Sequence, residues 1–126
     1  MPAWTYVKEP LKDFHDYELI YHYTLEALND GAEYLDDLAS DAYGGERARL
    51  KIEANNMRAE RDMCKRKREA FWAGKSQIRV PTAAEYQQAS LLADQVDTLI
   101  NESKVAEKMI ALGTQLFALF NKLNKP

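Results

Sequence analysis

The sequence predicts an all-α fold, a three-helix bundle of long antiparallel helices with a coiled-coil-like C-terminal helix. Three observations carry that reading. Breakers are scarce: five Gly and four Pro in 126 residues, with Pro2 and Pro10 both near the start, leave little to interrupt helix afterwards. Apolar residues recur at steps of three and four rather than two. Charge is sorted by segment. Asp13 to Glu46 holds ten carboxylates and no Lys or Arg, whereas Arg47 to Arg79 holds eleven bases against four acids. Consecutive segments of opposite sign attract when the chain folds back, so the division favours a hairpin of two helices.

Residues 1–12 read as an irregular arm, because Pro2 and Pro10 discourage helix while Trp4, Tyr6 and Val7 offer apolar groups for docking. Asp13 is the expected N-cap of an acidic helix over 13–43, with Asp16 and Glu18 near its positive end. Its seam runs Phe14, Tyr17, Tyr21, Leu25, Leu28, Ala32, Leu35, Ala39, Ala42. Asn29-Asp30-Gly31 marks a weak point or kink in that helix, and Gly44-Gly45 ends it. A basic helix over 46–73 follows. Leu50, Met57, Cys64 and Phe71 fall at steps of seven, but the intervening heptad slots hold Arg61 and Arg68, so this helix buries little by itself. After a connector in which Ile78 and Val80 suggest an extended stretch, Thr82-Ala83-Ala84-Glu85 matches the capping box that opens a helix. The third helix is expected over 82–123. Its seam of Ala89, Leu92, Val96, Leu99, Ser103, Ala106, Ile110, Gly113, Phe117 and Phe120 alternates steps of three and four, thin at Ser103 and Gly113. Unbroken, it would be roughly 60 Å long at about 1.5 Å per residue.

The chain reads as a single helical domain, 1–126. Cys64 is its only cysteine, and no apolar stretch follows a basic start. The expected setting is therefore reducing and cytoplasmic, and no stretch reaches the roughly 18 apolar residues of a membrane span.

Catalytic chemistry finds little support. His15, Glu18, His22 and Glu26 share one helical face at metal-ligand spacing, but the other helices contain no His, so they read as part of a solvated acidic face. Cys64 has the basic neighbours Arg61, Lys65 and Arg68, which would lower a thiol pKa, yet it occupies a seam position that wants a small apolar group. No nucleophile elbow, phosphate loop or His-Glu-x-x-His occurs. The expectation is a non-enzymatic protein with no cofactor and no metal.

Three groups of residues are candidates for partner binding. Arg58, Arg61, Lys65, Arg68 and Trp72 form a basic stripe that could follow a phosphate backbone or pair with acids of the same molecule. Glu26, Asp30, Glu33 and Asp37 form an acidic stripe. Ile110, Leu116, Phe117 and Phe120 lie in the uncharged segment Met109 to Asn121, as an oligomer or core seam. These features point to a helical protein–protein interaction or assembly protein, such as an adaptor, inhibitor or accessory subunit. Its partner would be another protein, with self-association possible through the C-terminal helix. The alternatives are a nucleic-acid-associated protein using the basic stripe, although pI 5.4 argues against it, and an acidic nucleic-acid mimic that blocks a basic site.

Overall fold

The computed structural model of the chain describes residues 6–7, 14–102 and 106–124. These form β1 (Tyr6–Val7), α1 (His15–Ser40), α2 (Gly44–Trp72), β2 (Ile78–Arg79), α3 (Ala83–Ile100) and α4 (Ala106–Leu123). The fold is all-α, with four helices among the described residues. Asp13, the expected N-cap of the first helix, lies outside the described residues, and Phe14 stands at the cap position without a side-chain cap bond.

The central helix is α1, which packs against α2, α3 and α4. That explains why its buried surface is wider than one seam: Ile20, Thr24, Ala27, Gly31 and Tyr34 are buried beside Tyr17, Tyr21, Leu28, Ala32, Leu35 and Ala39. Glu18, Asn29 and Asp36 of α1 meet Arg68, Arg61 and Arg58 of α2, so those two helices run in opposite directions. The Tyr23 and Tyr86 hydroxyls lie 3.4 Å apart and the Tyr34 hydroxyl donates to the Glu102 carbonyl at 2.9 Å, which places α3 alongside α1 in the same direction. The return of α4 brings Asn124 back to Tyr17.

The single helix expected over 82–123 is corrected to two. Helix α3 stops at Ile100, where the Asn101 amide caps the carbonyls of Thr98 and Leu99, and α4 begins at Ala106. Ser103, one seam position, lies outside the described residues. The physical reason is burial. An unbroken rod would carry one half of its apolar face beyond a bundle of this size, whereas folding back lets α4 pack on α1, α2 and α3 together. The turn also rotates the buried face. Met109, Leu112, Leu116, Leu119 and Leu123 are buried with Gly113 and Phe120, while Ile110 and Phe117 are only half-buried.

Helix α1 passes through Asn29-Asp30-Gly31 without a break, so the expected weak point is filled by continuous helix. Gly31 is there for space. A Cβ at Gly31 would come within 2.5 Å of the Met57 methyl, and a Cβ at Gly113 would come equally close from α4. The Met57 side chain of α2 is thus clasped between two glycines on neighbouring helices, which lets three helices approach closely at one level.

One end of the bundle is closed by extended segments. Within the arm expected to be irregular, β1 pairs antiparallel with β2, and Ile78 also bridges to Asn124. Beneath them lie Phe14, Tyr17, Phe71 and Phe120, with ring centroids 4.9 to 6.1 Å apart. The buried Tyr17 hydroxyl donates to Asn124 Oδ1 at 2.8 Å, and Asn124 Nδ2 donates to the Phe120 carbonyl at 2.7 Å. Arg79 is 1% exposed. Its guanidinium donates twice to the Glu85 carboxylate, at 2.6 Å each.

Candidate functional site

The basic stripe is engaged by α1. Arg58 pairs with Asp36, and Arg61 donates to Asn29 Oδ1 at 2.8 Å and pairs with Asp62 at 3.1 Å. Arg68 donates to Glu18 at 2.8 Å, and its guanidinium carbon sits 4.9 Å from the centre of the Tyr21 ring and 5.6 Å from that of Trp72. Trp72 Nε1 donates to the other Glu18 oxygen at 2.8 Å, while its ring stands edge-on to Phe14. One carboxylate therefore anchors the arginine and the tryptophan together. The sequence geometry explains this: Arg61 and Arg68 occupy heptad slots of α2 facing α1, and a long side chain there lies along the interface with its charge at the edge. Lys65 is the exception. It is exposed and, with Glu26, Leu25, Asn29 and Arg61, lines a shallow cavity of about 170 Å3.

Glu18 meets Arg68, as a hairpin of oppositely charged helices predicts, and Asp36 answers Arg58. Among the described residues no base lies within ion-pair distance of Glu26, Asp30, Glu33 or Asp37. Arg47 donates to the carbonyls of Ala39 at 2.9 Å and Ser40 at 3.1 Å, where it covers the open C-terminal end of α1. Burial and the nearby Glu33, Glu26 and Asp97 raise the Asp30 carboxyl above its ordinary value. Glu26, Glu33 and Asp37 are exposed. The result is one acidic face on α1, extended toward α3 by Asp97.

The third group belongs to the interior. Leu116 and Phe120 are fully buried, and Ile110 and Phe117 are packed against the core. Cys64 is also fully buried, and burial followed by the neighbouring Glu60 pushes its thiol up to about 12, so no reactive thiolate is held there at neutral pH. His15 and His22 are exposed, and no group of three His, Cys, Asp or Glu among the described residues is placed to hold a metal ion. No described helix is long and apolar enough to cross a membrane.

Sequence reasoning missed Asp36 and Asn29 as partners of α2. Their signal was available in position, since both lie between the seam residues Leu28, Ala32 and Leu35 and the acidic stripe at Glu33, on the edge of α1 that meets α2. Comparison with known proteins adds no family: no protein-family model, curated protein or solved structure matches the chain.

Proposed function

We propose that this chain is a non-enzymatic helical interaction protein, an adaptor, inhibitor or accessory subunit that binds a basic protein surface through the acidic face of α1. The observation that supports this reading is the unequal fate of the two stripes. Arg58, Arg61 and Arg68 of α2 engage Asp36, Asn29 and Glu18 of α1, whereas Glu26, Asp30, Glu33 and Asp37 have no base within ion-pair distance among the described residues. Like charges held on one face repel, and a basic partner relieves that repulsion on binding. In this reading the antiparallel α1–α2 hairpin is a scaffold whose charges are used internally along one edge and kept for a partner along the other. A lone buried thiol fits a reducing, cytoplasmic setting. Where the basic partner surface is a protein's nucleic-acid-binding groove, the same face acts as a mimic of the phosphate row.

The test compares affinity capture from nuclease-treated source-cell lysate by the parent chain, by Glu33→Lys/Asp37→Lys, and by Arg66→Glu/Lys67→Glu. The expected result is a specific basic partner that the acidic-face variant loses and the α2 variant keeps, with binding weakened by salt. The reverse pattern, with capture kept by the acidic-face variant and lost in the α2 variant, or seen only when nuclease is omitted, sinks this reading in favour of nucleic-acid binding.

A further inference from the structure

Helices α2 and α3 end for different reasons. Helix α2 stops before Gly74, whose left-handed φ of +74° favours glycine. Helix α3 stops at Ile100 with Asn101 still in the right-handed helical region, at φ −89° and ψ −2°. From Thr82 to Leu112 the chain holds no Gly or Pro. The end of α3 is closed by two tight-turn bonds, from the Asn101 amide to the Thr98 carbonyl at 3.3 Å and from the Glu102 amide to the Leu99 carbonyl at 2.9 Å. The apolar repeat also keeps its phase through Leu99, Ala106 and Ile110. Local sequence therefore permits α3 to run on into α4, and the reversal is imposed from elsewhere in the fold.

Two tertiary contacts hold the hairpin. The Tyr34 hydroxyl of α1 donates to the Glu102 carbonyl at 2.9 Å. In a continuous helix that carbonyl would accept the Ala106 amide four residues on, so Tyr34 engages the acceptor with which continuation would begin. The second contact is the seat of α4, where Met109, Leu112, Leu116, Leu119, Phe120 and Leu123 are buried on α1, α2 and α3. That seat fits α4 whichever chain supplies it. We propose that α3 and α4 open into one helix and that two copies of the chain exchange α4, each α4 filling the seat on the other copy. The two long helices then lie antiparallel about a two-fold axis between Leu99 and Ala106, and the assembly closes at two copies. The apolar face that one bundle cannot cover along an unbroken rod is covered by two. Every buried contact of α4 is kept, while the Tyr34 bonds and the freedom of separate chains are given up, so the balance depends on concentration. The acidic face of α1 stays open in both forms, so the exchange stands apart from the partner proposed above.

Refolding the full chain from denaturant at high micromolar concentration, followed by size-exclusion chromatography with light scattering, tests the exchange. A species of twice 14.5 kDa should form and should return to monomer slowly on dilution, because α4 must first leave its seat. Two variants act in opposite senses. Ala106→Pro puts proline at the first position of α4 in the hairpin, where it is tolerated, but in the interior of a continuous helix. It should abolish the dimer and leave thermal unfolding of the monomer unchanged. Tyr34→Phe removes a bond that the hairpin makes and should tighten the dimer by about tenfold. A crosslink separates exchange from surface contact. Arg49 of α2 and Glu107 of α4 pair at 2.8 Å and both reach solvent, whereas Cys64 is buried. In Arg49→Cys/Glu107→Cys a short bis-maleimide should close within one chain in the monomer and join two chains in the dimer. Absence of a dimer at every concentration, a dimer that Ala106→Pro leaves intact or Tyr34→Phe does not strengthen, or a dimer whose crosslinks stay within single chains would each overturn the proposal.

Discussion

Glu85 does two things with one carboxylate. It accepts the Thr82 amide at 2.9 Å, closing the capping box of α3, and it also accepts from Nη1 and Nη2 of Arg79. The Arg79 guanidinium, aided by the Thr82 groups, holds the Glu85 carboxyl down to about 2, well below the usual 4.5. A depressed carboxyl pKa contributes stability that is complete above the unfolded value and lost as pH falls through the folded one. Glu85→Gln is therefore expected to cost on the order of 3 kcal/mol near neutral pH, because it removes the carboxylate that both closes the cap of α3 and takes two N–H groups of buried Arg79. In urea unfolding followed by circular dichroism, the gap between parent and variant should narrow as pH falls from about 4.5 to about 2. The capping half of this arrangement was legible, since Thr-x-x-Glu after proline is a local pattern. The burial of Arg79 was not, because it depends on β1 and the end of α4 meeting over β2, a contact between the two ends of the described chain. Glu18 shows the same division. Its approach to the Lys65 to Arg68 stretch follows from an antiparallel hairpin, but its simultaneous hold on Trp72 required the fold.

At the scale of elements, local chemistry set most boundaries. Helix α2 ends in a complete Schellman motif: the Gly74 amide donates to the Phe71 carbonyl at 2.9 Å and the Lys75 amide to the Ala70 carbonyl at 2.8 Å, with Gly74 at φ +74°. A side chain at that φ is strained, so Gly74→Ala should lower stability by about 1 kcal/mol. Gly45→Ala is the control, because Gly45 has no positive φ and open space around it. Its unfolding midpoint should match or exceed the parent's, and equal losses at both glycines would contradict the cap assignment. The break between α3 and α4 escaped sequence reasoning because the three-four repeat keeps its phase across it. Periodicity reports which residues are apolar, and a turn that reverses direction without shifting that count leaves no trace in it. The uncharged run from Met109 carried a second apolar face, and it is this face that α4 buries.

Across the whole molecule, the separation of charge is resolved by geometry into pairs made and pairs left open. Exposed ion pairs contribute only about 0–1 kcal/mol each, so they choose between fold-back arrangements more than they hold the bundle together. Arg68 exceeds a simple pair because its guanidinium also lies against Tyr21 and Trp72. The double change Arg58→Glu/Arg68→Glu should accordingly lower the unfolding temperature, with part of the loss recovered in high salt as the new repulsion is screened. A variant as stable as the parent would show that these arginines are not held by α1. Core packing is shared more widely. Met57 between Gly31 and Gly113, and the aromatic cluster of Phe14, Tyr17, Phe71 and Phe120, tie α2 and α4 to α1.

The amino-acid sequence by itself determined helix as the dominant structure, the run of apolar positions along α1 and α2, the capping box of α3 and the segregation of acids from bases. Each is a property of neighbours a few residues apart, where propensity, periodicity and capping act directly. Only the tertiary structure decided that the C-terminal segment folds back, which acids answer the arginines of α2, and which face of the molecule remains acidic. Those outcomes depend on which helix lies against which, and burial of apolar surface in three dimensions makes that choice without leaving a local sign.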